Sequence, residues 1–241
     1  MRIIVISRVS DTKRRDSIFD MLKKSPYQWQ FFNAYEASFI PEWFDAMYNE
    51  DKARKYRSYP LLESEKGCFS SHIGAWLKCI QYNDPVVVLE DDCMLLPDFF
   101  EKIKTINSSS YEYVKLERRS DGYDIDGTFM INKKNRSGTV GYYLSPLGAF
   151  KFISSLNTIY MPVDHYIGMP WKHKVAPIGL VDQVISHKGQ FTTNIQHDRK
   201  KVEKINSKNK WLRFLRKTKR WADNVKYYRY VRKCRNSCID V

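Results

Sequence analysis

The run V-V-V-L-E-D-D at residues 86–92 constrains the fold more than any other stretch of this chain. Four consecutive apolar residues, three of them β-branched, suit a strand covered on both faces, as in a parallel sheet flanked by helices. Three carboxylates, Glu90, Asp91 and Asp92, follow at once. Held together they repel and raise one another's pKa, so a fold that gathers them where a strand leaves the sheet usually supplies a cation. Hard cations such as Mg²⁺ and Mn²⁺ take oxygen ligands and are shared between carboxylates and substrate phosphates. Ligands of open α/β sheets lie beyond the carboxyl ends of the strands, so the triplet is expected to form a metal-diphosphate seat. An acidic turn capping the next helix is the plainer alternative.

The flanking pattern alternates strand and helix. Residues 2–7 (R-I-I-V-I-S) are a short apolar run, and residues 11–24 place Ile18, Phe19 and Leu22 at helical spacing. Strand, loop and helix thus open a βαβ unit, without the G-x-G-x-x-G of a dinucleotide site. Ser10 or Asp11 can cap this helix, whose first turn then carries Lys13, Arg14 and Arg15. Cations there oppose the helix dipole, which predicts that some of them answer an anion or an internal carboxylate. Residues 30–33 read as a second strand. Within residues 63–82, Ser70 or Ser71 can cap a helix with an apolar stripe of Ile73, Trp76 or Leu77, and Ile80. His72 then falls in the first turn, where structural and functional roles both fit. Glu65, Gly67, Ser71 and His72 lie one helix before the acidic triplet and can approach the same crevice.

Further on, residues 97–106 read as a helix and 111–116 as a strand. The polar span 117–135 reads as hairpin turns or a mobile loop, and 138–145 as a strand. Ser145-Pro146 is a cap and first-turn pair opening a helix with Leu147, Phe150 or Lys151, Ile153 and Leu156 as its stripe. In P-V-D-H, Asp164 follows a proline-set turn, where a structural turn aspartate is the alternative reading. Residues 175–181 form the last expected strand.

The net charge of +14 is concentrated: residues 199–235 carry 16 lysines and arginines against Glu203 and Asp223, and the remainder balances. This predicts a near-neutral body, residues 1–198, with a basic appendage, residues 199–241. On a helix, Trp211, Phe214, Leu215, Trp221, Val225 and Tyr228 share one face, and Arg213, Arg216, Lys217, Lys219, Arg220 and Lys226 fill the other. That arrangement suits an anionic membrane surface; packing of the apolar face on the body, and nucleic-acid binding, are the other readings, the last least favoured. No 18-residue apolar run and no leader-type segment occur, so a cytosolic protein is expected. Five cysteines without paired C-x-x-C spacing are expected to be reduced thiols.

Taken in order, R-x-x-V-I-S with Arg14-Arg15, E-x-G-C-x-x-S-H-x-x-x-W, V-x-L-E-D-D, G-Y-Y-L-S and P-V-D resemble glycosyltransferase family 25, which includes bacterial lipooligosaccharide and lipopolysaccharide glycosyltransferases. The resemblance spans about residues 1–190. It implies an α/β fold of the GT-A, Rossmann-like type for that span, to which the basic helical extension read from the charge pattern is added at the C-terminus. It also implies a UDP-hexose donor (galactose favoured, glucose next), Mn²⁺ or Mg²⁺, inversion at the anomeric carbon, and a lipooligosaccharide or lipopolysaccharide acceptor. An enzyme of this kind works at the cytosolic face of the bacterial inner membrane, against which residues 199–235 would lie. Carried over by position, Asp92 is the metal ligand, Glu90 and Asp91 support it, and Ser7 and Arg8 stand beside the nucleotide. Ser71 and His72 match the family's S-H pair, and Asp164 is the catalytic base. A glycosidase using Asp92 and Asp164 as its carboxylate pair, and a membrane- or nucleic-acid-binding module, are the competing functions.

Overall fold

In the computed structural model, which describes residues 1–57, 59–134, 138–186 and 210–239, the run at 86–90 is an interior strand of an eight-stranded sheet. Its strands are β1 (Arg2–Ser7), β2 (Trp29–Asn33), β3 (Val86–Glu90), β5 (Tyr113–Lys115), β6 (Gly122–Asp124), β7 (Phe129–Asn132), β8 (Gly141–Leu144) and β9 (Ile178–Leu180). They lie in the order β2-β1-β3-β8-β5-β9-β7-β6, while β4 (Met94–Leu95) and β10 (Ile185–Ser186) pair separately. β1 is parallel to both β2 and β3, but β3 meets β8 antiparallel. The expected parallel surroundings therefore hold on one side of β3 only, because an apolar run demands burial and says nothing of its neighbour's direction.

Both faces of the run are covered. Ile3, Val5, Val87 and Leu89 pack with Ile18 and Leu22 of α1 (Thr12–Leu22) and Ile103 and Ile106 of α5 (Phe99–Asn107). The alternate residues Ile4, Ile6, Val86 and Val88 pack with Phe69 and Trp76 of α4 (Glu63–Tyr82), Phe152 of α6 (Pro146–Ser154) and Tyr166 of α7 (Val163–Ile167). Each such side chain contributes about 1.5–3 kcal/mol on leaving water, which is why a strand with no polar alternation sits in the middle layer. The remaining described helices are α2 (Glu42–Met47), α3 (Glu50–Arg57), α8 (Pro170–His173) and α9 (Lys210–Ile239). Among the described residues no helix is long and apolar enough to cross a membrane, and no disulfide joins the cysteines.

Several local expectations need correction. α4 begins at Glu63, so Ser70 and Ser71 are buried in its interior rather than capping it, and His72 is mid-helix. Its start is held by the Glu65 carboxylate, which accepts the Leu62 N–H at 3.1 Å. In α1 the Asp11 carboxylate grips the Arg8 guanidinium at 2.8 and 2.9 Å instead of capping the helix, and Phe19 is exposed. Ser145 caps α6 as expected, its Oγ accepting the Gly148 N–H at 3.1 Å, yet Leu147 and Phe150 face out. The face α6 buries is Gly148, Ala149 and Phe152, because the first two small residues let it approach the sheet. Within the polar span, β6 and β7 form an antiparallel hairpin, the first of the two readings, and it extends the sheet.

α9 packs on the body through a different stripe from the apolar face expected. Arg216 donates to the carbonyls of Arg54 and Lys55 at 2.8 and 3.0 Å, Tyr227 OH donates to the Asn132 carbonyl at 2.8 Å, and Tyr227 and Val231 join the core. Trp211, Phe214, Trp221 and Tyr228, on the opposite side of the helix, remain more than half exposed. The start of the expected appendage, residues 199–209, lies outside the described residues.

One buried group makes stability depend on pH. His173 is packed against Phe152, with Nε2 donating to the Ile167 carbonyl at 3.0 Å and Nδ1 accepting the Val175 N–H at 3.2 Å. Nδ1 can accept only in the neutral ring, and burial holds its pKa down to about 4 from the ordinary 6.5, against the bond to Ile167. The unfolded chain therefore takes up the proton first, so this contribution is complete above pH 6.5 and is lost as pH falls toward 4, on the order of 3 kcal/mol across the window. Urea unfolding of His173→Met is expected to show a shallower stability loss between pH 7 and pH 5 than the parent chain.

Candidate functional site

The carboxyl ends of β1 and β3 open into a pocket of about 440 Å³. Its lining includes Ser7 and Arg8 from the end of β1, Ser71 and His72 from α4, and Glu90, Asp91 and Asp92 beyond β3. Seven of the eight residues singled out in the sequence thus meet in one cavity. Residues 34–38 form another part of its wall.

Asp91 is held by close bonds from two neighbouring elements. Ser7 Oγ donates to Asp91 Oδ2 at 2.6 Å, and Arg14 Nη1 donates to Oδ1 at 3.0 Å. Arg14 also lies 3.9 Å from Asp92 Oδ2, which identifies the internal carboxylate expected from a guanidinium in the first turn of α1. Burial nonetheless holds the Asp91 carboxyl above the usual carboxylate range, against the bonds from Ser7 and Arg14. Lys13, by contrast, is exposed.

Glu90 belongs to a buried polar chain. Trp76 Nε1 donates to the Tyr142 hydroxyl oxygen at 2.9 Å, and that hydroxyl lies 2.8 Å from His72 Nδ1. With the phenol proton directed to Nδ1, the ring proton sits on Nε2, which faces Glu90 Oε1 at 3.4 Å; Thr139 Oγ1 donates to the same oxygen. His72 is therefore an orienting group for Glu90, in a role the sequence alone left open. Tyr142 and Thr139 were not recognised as partners, although Tyr142 sits within the G-Y-Y-L-S motif.

Two donor sets can be weighed for a cation. Cys68 Sγ, a His72 ring nitrogen and a Glu90 oxygen lie within 4.8 Å of one another. As hydrogen-bonded here, however, neither nitrogen of His72 presents a lone pair to the cavity. Glu90, Asp91 and Asp92 supply only oxygen, with Arg14 at 3.0 Å from Asp91 and 3.9 Å from Asp92. An all-oxygen donor set of this kind fits Mg²⁺ or Mn²⁺.

Asp164 lines a neighbouring small cavity with Lys115, Asn132 and Gly138, and its charge is felt at Lys115 and at Cys68 in the wall of the main pocket. Burial and Arg119 push the Lys115 ammonium down to about 8, opposed by Glu117 and Asp164. Lys115 escaped notice in the sequence because its only signal is a single charge inside the apolar strand Y-V-K-L.

The model of glycosyltransferase family 25 (LPS biosynthesis protein) matches residues 1–124, from β1 through β6 and including the acidic triplet. A curated protein named "Glycosyltransferase 25 family member", from Drosophila pseudoobscura pseudoobscura, is 26% identical over 125 residues. That similarity covers 46% of this chain and 20% of the relative, so the chain spans about a fifth of the length of the curated protein it matches. Asp164 and α9 fall outside the span matched by the family model.

Proposed function

Because the chain belongs to glycosyltransferase family 25, we propose that it transfers a hexose from a UDP-sugar, galactose first and glucose next, to a sugar hydroxyl of a lipooligosaccharide or lipopolysaccharide acceptor, with inversion and on a GT-A type fold. The observation that carries this reading is the single pocket at the carboxyl ends of parallel β1 and β3, in which Ser7, Arg8 and the Glu90-Asp91-Asp92 triplet converge. That is where α/β sheets bind nucleotides.

A diphosphate cannot approach three carboxylates unaided. Asp92, with Glu90 and Asp91 in support, would hold the divalent ion, which when bound neutralises charge building on the leaving diphosphate. Arg14 fixes Asp91 and brings a positive charge to the same end of the sheet, while the Tyr142–His72 link keeps Glu90 directed at the pocket. Ser7 and Arg8 address the nucleotide. On the acceptor side, Asp164 takes the proton of the attacking hydroxyl as it adds to the anomeric carbon, from the face opposite the departing phosphate. The exposed Trp211, Phe214, Trp221 and Tyr228 of basic α9 support contact with an anionic membrane surface.

The test is turnover of UDP-galactose with a saccharide acceptor, with and without Mn²⁺. Asp164→Asn is expected to bind UDP as the parent does and to lose about 10²–10⁴-fold in transfer. Transfer at the parental rate in that variant assigns the base elsewhere.

A further inference from the structure

A second built cavity, of about 300 Å³, lies where α3, α7 and α9 meet. Its charge is one-sided. Arg57, Arg216, Lys219 and Arg220 line it against one carboxylate, Asp223, which pairs with Lys219. Arg57 reaches Glu65 at 3.5 Å and stacks over the Tyr59 ring, 4.6 Å from its centroid. Arg220 is exposed and forms no ion pair with any described residue. Positive charge is crowded behind this wall as well: burial, Lys52 and Lys219 together push the Lys172 ammonium down. The rest of the lining is three tyrosines, His165, Met161 and Met169, with Tyr56 and Tyr160 packed at 5.9 Å between centroids.

We propose that this cavity is an acceptor subsite for an anionic sugar, a hexose bearing a phosphate or carboxylate group. Guanidinium groups match such oxyanions with paired hydrogen bonds, and tyrosine rings offer flat apolar faces to the C–H face of a pyranose while their hydroxyls meet its polar edge. The volume is at the lower end of the range for small-molecule sites, the size of one substituted ring rather than an extended chain. Position supports the assignment, and here it rests on the transfer reading: His165, which lines the cavity, adjoins the proposed base Asp164 on the short helix α7. Four of the lining residues come from α9, outside the span matched by the family model, so this part of the acceptor site is built by the portion of the chain that the match does not cover.

Calorimetric titration of the full chain with glucose 6-phosphate, glucose and inorganic phosphate tests the proposal, alongside UDP with Mn²⁺ as an independent probe of the donor pocket. Glucose 6-phosphate is expected to bind about tenfold tighter than either glucose or phosphate, and Arg220→Glu to weaken it about tenfold while UDP binding is unchanged. Lys219→Gln should weaken it in the same direction. Equal binding of glucose 6-phosphate by the parent and by both variants, or no binding beside normal UDP binding, overturns the subsite and leaves the donor reading intact. Loss of UDP binding with Arg220-dependent sugar-phosphate binding does the reverse. Sedimentation with phosphatidylglycerol vesicles separates the source of the oxyanion: Arg220-dependent vesicle binding without sugar-phosphate binding assigns the cavity to a lipid headgroup and overturns the sugar.

Discussion

Asp92→Ala is expected to lower metal-stimulated turnover of a UDP-hexose by about 10³-fold, the scale lost when a group stabilising charge on a leaving oxyanion is removed. The fold should survive. Asp91, not Asp92, accepts the close bonds from Ser7 and Arg14 that join the ends of β1 and α1 to the tip of β3, and those bonds remain in the variant. The melting temperature is therefore expected to stay within a few degrees of the parent, and circular dichroism on the preparation used for kinetics separates lost chemistry from lost structure. Parental turnover at every Mn²⁺ concentration would falsify the assignment of the metal seat.

Arg14→Met should have the largest effect on stability among substitutions at the pocket. It leaves Asp91, buried to within 7% of full coverage, without its 3.0 Å cationic partner, a loss of about 3 kcal/mol. The sign of the pH dependence follows. Without Arg14 the folded-state pKa of Asp91 rises further above that of the unfolded chain, so the penalty is complete above that raised value and shrinks as acid neutralises the carboxylate. Urea unfolding should thus find the variant most destabilised near pH 8 and less so near pH 5. Adding Asp91→Asn should recover much of the loss, since it removes the uncompensated charge.

The parts of this molecule that were legible in the sequence are those in which one residue type leaves a single physical solution. Four apolar residues in a row at β3 had to be covered on both faces, and Ser145-Pro146 could hardly do anything but start a helix. A guanidinium in the first turn of α1 is unfavourable without an anion, and Asp91 is that anion. What stayed hidden depends on residues defined by what they lack. Gly67 lies inside α4, where a Cβ would stand 2.4 Å from the Tyr35 carbonyl oxygen, a close approach the sequence does not show. Gly148 and Ala149 likewise outrank Leu147 and Phe150 on α6, since only small side chains let that helix close on the Glu112 backbone.

The contact at Gly67 also has a bearing on how the pocket can change. Tyr35 is clamped from two sides, its carbonyl against Gly67 and its N–H donating to Ser71 Oγ at 2.9 Å, so α4 and the near rim move as one piece. Glu36, Ala37 and Ser38, just past the clamp on the same rim, are the positions where a new side chain can be accommodated without rebuilding the helix behind it. A substitution at any of these three positions alters the cavity lining and leaves the clamp behind it in place.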